Sequence, residues 1–323
     1  MKTSQMKRAT IGIDIGGTHT RFALIDAEGH ILYRSKTASR IKDGLGVFCE
    51  ILLNGISETK NKSASRNLFL DGVGIGVPGL VDRDGVIHSS PNMPPLNGFN
   101  LSDFIQMQTA LPCVCCNDAN MIALGEYALG AARELDSFIV ITIGTGLGSG
   151  LILEKRLWRG SNGFTAEFGH VTVEPEGISC PCGNKGCLER YVSAGAIARS
   201  AREFMKNEMS DATPDTAEEA AKLARQGIIE AQAAFAHSGR YLGIALASLV
   251  NTLDLQAAII CGGVSASLDL MLPSIRKELS IRCFPQIASN FTIIPGFLGD
   301  DAGILGAAMR LRSVLHNSSS GYA

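Results

Sequence analysis

Three cysteines and one histidine constrain this chain more than any other stretch. The segment reads Phe164-Thr-Ala-Glu-Phe-Gly-His170 and, after nine intervening residues, Cys180-Pro-Cys182-Gly-Asn-Lys-Gly-Cys187-Leu-Glu189. The C-x-C-x4-C spacing with its glycines makes a tight loop, and His170 shortly before it supplies a fourth donor. One imidazole and three thiolates suit a tetrahedral zinc site closed to other ligands. Such a site holds no reacting water, so Zn2+ on His170, Cys180, Cys182 and Cys187 is expected to be structural. The alternative is four buried, unconnected residues. Glu167 and Glu189 flank the set and are not needed as ligands, so the metal would pin both carboxylates beside one pocket.

The other cysteines do not extend this pattern. Nine is an odd count and their spacing suggests no disulfide framework, which points to a reducing cytoplasm. Cys113, Cys115 and Cys116 could bind a metal, but on a short apolar strand they read as small core residues. A net charge of -2 gives no reason to expect nucleic acid or an anionic membrane. The most apolar stretch, 138–153, is broken by Gly144, Gly146, Gly148 and Gly150 and is too interrupted for a membrane span. No signal peptide is expected, because no long apolar run follows the basic first ten residues. The 323 residues suffice for two domains.

Two glycine turns organise the rest. Residues 9–14 and 20–26 read as strands joined by Ile15-Gly16-Gly17-Thr18. This loop opens no helix, which argues against a dinucleotide fingerprint or a Walker loop. A hairpin can still hold phosphate on backbone N–H groups and the Thr18 hydroxyl, with Asp14 placed to attract hydrated Mg2+. An ordinary Gly-Gly turn remains the alternative. Residues 137–144 and 149–153 repeat the arrangement around Gly144-Thr145-Gly146, which suggests a duplicated α/β unit with nucleotide phosphates between the halves. A third glycine pair, Gly262-Gly263, ends an apolar strand over 256–261, where backbone could approach adenine or ribose or simply turn. Helices are expected over 47–59, 101–109, 194–205, 216–226, 230–251, 268–278 and 301–311. A polar loop is expected over 61–66 and a disordered Ser/Gly tail over 317–321. Asn117 and Asp118 end a strand before a helix starting at Ala119, and either could be its N-cap.

Taken together, Asp14-Ile-Gly-Gly-Thr18, Asn117-Asp118, Gly144-Thr-Gly146, Glu167-Phe-Gly-His170 and the cysteine motif through Glu189 resemble the ROK family of bacterial sugar kinases and repressors, from about Ile11 to Leu311. The overall pattern is most similar to its glucokinases. The resemblance implies an α/β, two-domain actin-like ATPase (ribonuclease H-like) fold with a zinc-stabilised loop, ATP and sugar meeting in a cleft. The domains are expected to be 1–118 plus 303–323 and 119–302. The resemblance makes Asp118 the catalytic base, and Gly79, Asn92, Asn117, Glu167, His170 and Glu189 sugar-binding residues. His170 would bind zinc through one ring nitrogen and sugar through the other. Asp14 would act near Mg2+; Gly16, Gly17, Thr18, Thr145 and Gly146 would hold phosphates, and Gly262 and Gly263 would lie against adenosine. Ala166 departs from the family pattern, in which glycine is frequent at that place.

The chemistry follows from the residue types. A sugar hydroxyl becomes a competent nucleophile when a carboxylate accepts its proton as the phosphoryl group arrives. The expected reaction is ATP-dependent phosphorylation of glucose to glucose 6-phosphate by a homodimer or homotetramer. N-acetylhexosamine, mannose or allose are alternative acceptors. A sugar-sensing repressor is the other class, but the first strand near residue 9 leaves no room for its added DNA-binding domain.

Overall fold

The computed structural model describes residues 7–206 and 213–319, with side chains placed as far as His316. Two compact units divide the chain. Met1–Glu134, Leu157–Thr165 and Asp300–Ala323 form one, and Leu135–Arg156 with Ala166–Gly299 form the other.

In the first unit, β1 (Arg8–Ile15), β2 (His19–Asp26) and β3 (Ile31–Ala38) run antiparallel in sequence. The helix α1 (Leu45–Ala64) then crosses to β4 (Phe69–Val77), which pairs parallel with β1. The short strands β5 (Leu80–Val81), β6 (Val86–Ser89) and β7 (Phe99–Asn100) form a small antiparallel sheet. The helix α2 (Leu101–Thr109) leads to β8 (Cys113–Asn117), parallel to β4, and α3 (Asp118–Leu129) follows directly. The sheet order is β3-β2-β1-β4-β8.

The second unit repeats the plan. It contains the hairpin of β9 (Phe138–Ile143) and β10 (Leu147–Leu153), then Arg156 of the two-residue β11 (Arg156–Leu157), whose Leu157 counts with the first unit. Four helices follow the cysteine loop: α4 (Glu189–Val192), α5 (Ala194–Met205), α6 (Ala217–Arg225) and α7 (Ile229–Leu253). The strand β12 (Ala257–Cys261), the helices α8 (Leu268–Arg282) and α9 (Pro285–Asn290), and β13 (Thr292–Pro295) complete it. In the order β11-β10-β9-β12-β13 the hairpin β9–β10 is extended on the β9 side by two parallel strands, β12 and β13, as the hairpin β1–β2 is extended on the β1 side by β4 and β8. The duplication expected from the glycine turns is therefore real at the level of topology. The last helix, α10 (Ala302–Ser319), returns to the first unit and packs on β1, β4 and α3. Glycine is required there: a Cβ on Gly12 or Gly74 would run into the carbonyls of Ile304 and Ala307.

Several boundaries move. The helix α1 runs through 61–64, where a polar loop was expected. Its polar residues face solvent, while the buried Thr59 and Ser63 satisfy their hydroxyls on Gly55 O at 2.8 Å and Leu68 O at 3.1 Å. The helix α9 was not foreseen, although Pro285 at its first turn is a start signal. The helix α10 continues to Ser319, through part of the expected disordered tail; residues 320 and 321 of that tail lie outside the described residues. Most of the apolar stripe of α7 is consumed inside its own unit, with Phe235, Leu242, Leu246 and Val250 buried. Cys115 and Cys116 are buried and Cys113 half-buried, as small core residues. Among the described residues, no helix is long and apolar enough to cross a membrane.

Candidate active site

The first unit presents three groups of expected site residues. At the end of β1, Arg21 donates to Asp14 at 3.0 Å and to Asp300 at 2.9 Å. Burial raises the pKa of the Asp14 carboxyl and the Arg21 guanidinium opposes this. The turn after Asp14 exposes Gly17 and Thr18. It is held by a residue that sequence reasoning missed: Ser39 donates its N–H to Thr18 O at 2.9 Å and its hydroxyl to Gly16 O at 2.6 Å.

At the junction of β8 and α3 the structure separates two roles that the sequence left open. Asn117 is the N-cap, its Oδ1 accepting from the Asn120 N–H at 3.1 Å. Its Nδ2 donates to Gly79 O at 3.1 Å, which fixes the amide. Asp118 is the first helical residue, and its Oδ1 accepts from the Ala119 N–H at 2.9 Å. A carboxylate there also gains from the positive end of α3. Gly79 takes φ +120°, a conformation glycine favours. Asn92 lies in an exposed turn beside Gly17, whose added Cβ would reach Asn92 O at 4.0 Å. Met93, next in the chain, is fully buried in the core.

The second unit gathers the rest. Thr145 tops the β9–β10 turn and is exposed; Gly144 N donates to Gly146 O at 2.9 Å. Gly262 has φ +82°, and a Cβ there would lie 2.5 Å from Ile143 O, so Gly262 stands against the same hairpin, while Gly263 has open space beside it. His170, Cys180, Cys182 and Cys187 bring one donor atom each to within 4.8 Å of one another. Cys182 and Cys187 sulfurs are 3.6 Å apart, and His170 Nδ1 is 3.8 Å from Cys180 Sγ. A tetrahedron with metal–sulfur bonds of about 2.3 Å has sulfur–sulfur edges of about 3.8 Å, so the set fits a tetrahedral metal. The loop is tied to residues 171–173 by Leu188 N to Val171 O at 2.9 Å and Val173 N to Gly186 O at 2.8 Å.

Glu167 and Glu189 bracket this loop. Surrounding protein raises the pKa of the Glu167 carboxyl although the residue keeps solvent access; His170 opposes the rise and Glu189 adds to it. Ser149 on β10, missed by sequence reasoning, braces Glu167 from both sides. Its hydroxyl donates to Ala166 O and accepts from the Phe168 N–H at 3.3 Å. Ala166 sits at φ +65°, the left-handed region that costs an L-residue about 1–2 kcal/mol. That strain is the physical reason glycine suits this position.

The sequence pattern of the ROK family matches residues 10–313. This chain belongs to the ROK family. Among its ROK relatives, a glucokinase of Halalkalibacterium halodurans is 32% identical over 321 residues, covering 96% of this chain and 97% of that protein. A xylose repressor of Bacillus spizizenii is 34% identical over 303 residues, covering 92% of this chain and 75% of the repressor. The solved structure of a ROK glucokinase from Streptomyces griseus, in complex with glucose and AMPPNP, has a TM-score of 0.78 at 33% identity. That match covers 94% of this chain and 99% of the other. The ROK sugar-kinase fold, of the actin-like ATPase class with mixed sheets, is thereby established for this chain.

Proposed function

We propose that this protein transfers the γ-phosphoryl group of ATP to a hexose, with glucose as preferred acceptor and glucose 6-phosphate as product. The division of roles at the start of α3 supports this most. Asn117 takes the capping duty, and Asp118 stands beside it with a carboxylate suited to a general base. The likeness to a glucokinase solved with glucose and AMPPNP agrees with it. In this reading Asp118 accepts the proton of the 6-hydroxyl as the bond to phosphorus forms. Asn92, Asn117, Glu167, His170 and Glu189 hold the other hydroxyls, with Gly79 orienting Asn117. His170 Nδ1 turns to the cysteines, leaving Nε2 for the sugar.

Asp14 serves a hydrated Mg2+, which when bound neutralises phosphate charge. Gly16, Gly17, Thr18, Thr145 and Gly146 receive the phosphates, and Gly262 and Gly263 the adenosine. Structural Zn2+ on His170, Cys180, Cys182 and Cys187 stabilises the loop. We include in the proposal a cytoplasmic homodimer or homotetramer, for which sedimentation is the test.

The likeness to xylose repressors favours a second reading, a sugar-responsive regulator. Incubating the purified protein with ATP, Mg2+ and a panel of glucose, mannose, allose, fructose and N-acetylglucosamine decides between them. Turnover with glucose at the highest kcat/KM is the expected result. A better rate with another hexose would overturn the glucose preference, and sugar binding without turnover would favour the regulator.

A further inference from the structure

Glu189 makes a contact that a sugar ligand does not need. Its Oε2 accepts the N–H of Leu147 at 2.8 Å, and Leu147 is the first residue after the Gly144-Thr145-Gly146 turn. The approach is tight: a Cβ on Gly146 would lie 2.6 Å from that oxygen. The other end of the turn is tied to the same segment, because Ala194 N donates to Gly144 O at 2.9 Å. Between those two ties lie only α4 and Ser193, whose N–H returns to Glu189 O at 3.2 Å. The turn and the stretch from Glu189 to Ala194 therefore form one hydrogen-bonded frame within the second unit. Cys187 stands two residues before Glu189, so the cysteine loop anchors the frame at its start.

We infer that Glu189 is a positioning residue for the phosphate-binding turn as well as a sugar ligand, so that the sugar and nucleotide sites share one carboxylate. This deepens the kinase reading and rests on it. One carboxylate oxygen holds the turn in the shape that presents its N–H groups; Oε1 is left for a hydroxyl. A sugar that fixes Oε1 also fixes Oε2 against Leu147, and a phosphate that orders the turn orders the carboxylate for sugar. Each ligand thus lowers the ordering cost of the other.

Simple electrostatics predicts the opposite for nucleotide. A carboxylate near phosphates repels them, so removing its charge would tighten nucleotide binding. The two accounts separate in Glu189→Ala and Glu189→Gln, titrated with Mg2+ and AMPPNP by calorimetry in the absence of sugar. Glutamine keeps an oxygen that can accept from Leu147, whereas alanine keeps none. Loss of a hydrogen bond to a charged group corresponds to about tenfold or more. The expected result is AMPPNP affinity weakened about tenfold in Glu189→Ala and unchanged or tighter in Glu189→Gln. Equal or tighter binding by Glu189→Ala overturns the inference, and so does an equal loss in both variants.

Should Glu189→Ala not fold, Gly146→Ala replaces it. Gly146 is outside the left-handed region, so its added methyl acts by pressing on the Glu189 carboxylate. Glucose affinity without nucleotide is expected to fall about tenfold in that variant. Unchanged glucose affinity overturns the inference while leaving the kinase reading in place. If the wild-type protein binds neither AMPPNP nor glucose, the kinase reading fails and this inference with it.

Discussion

Replacing Ser149 by alanine tests how Glu167 is held. Ser149 is 4% exposed and its hydroxyl serves Ala166 O and the Phe168 N–H, one on each side of Glu167. Alanine keeps the strand residue and its packing and removes only the oxygen. Two backbone groups then lose the partner that served them, each at a cost of about 1–3 kcal/mol. The 3.3 Å contact to Phe168 is long and belongs at the low end, so the sum comes to about 2–4 kcal/mol. For a unit of this size each kcal/mol shifts Tm by about 2–4 °C, which gives a drop of about 4–16 °C. The peptide on either side of Glu167 also loses its anchor, so the glucose KM should rise while nucleotide binding changes little. Thermal unfolding by circular dichroism and steady-state kinetics read the two effects. A variant with unchanged Tm and unchanged glucose KM would refute the reasoning, because the hydroxyl would then be dispensable to the segment it bridges.

Three further outcomes are expected. Asp118→Asn should fold and bind glucose yet lose about 10²–10⁴-fold in kcat, as for removal of a general base, with a coupled ADP-release assay as readout; activity within a few-fold of wild type would exclude Asp118 from that role. Cys182→Ala should lose its share of an otherwise near-stoichiometric zinc content, measured by elemental analysis, and bind glucose more weakly; full metal occupancy would refute the ligand set. Arg21→Met should destabilise the protein more at pH 7 than at pH 4. Burial already raises the Asp14 pKa and Arg21 opposes it, so removing Arg21 lifts the folded-state value further above the unfolded one. Stability linked to that group is then present below the unfolded pKa and lost as pH rises through the folded one. Equal Tm losses at both pH values would show that the ion pair does not govern the Asp14 charge.

Much of the plan was legible in residue order because it depends on local rules. A glycine turn between two apolar runs makes a hairpin wherever it occurs, so both hairpins and the duplicated topology could be read from Gly16-Gly17 and Gly144–Gly146. Close cysteine spacing likewise brings three thiols together through loop geometry alone, and His170 joins them because its segment pairs with the same loop. What spacing could not decide was which of two neighbouring polar groups takes a given hydrogen bond, since that depends on backbone direction at the junction. Asn117 caps α3 because it is the last residue with extended backbone, and Asp118 is already helical. Burial was equally out of reach for Met93, whose loop neighbours are exposed while its side chain enters the core. The contacts that set the carboxylates are longer in range still: Ser149 reaches Ala166 and Phe168 across 17 and 19 positions, and Glu189 reaches Leu147 across 42. No periodicity records such pairs, because each needs a strand or turn and a distant segment of chain folded against one another first. Residue order thus determined which chemical groups the protein owns and the hairpins that carry some of them. Tertiary packing decided which oxygen of each group is already engaged and which is left for a ligand.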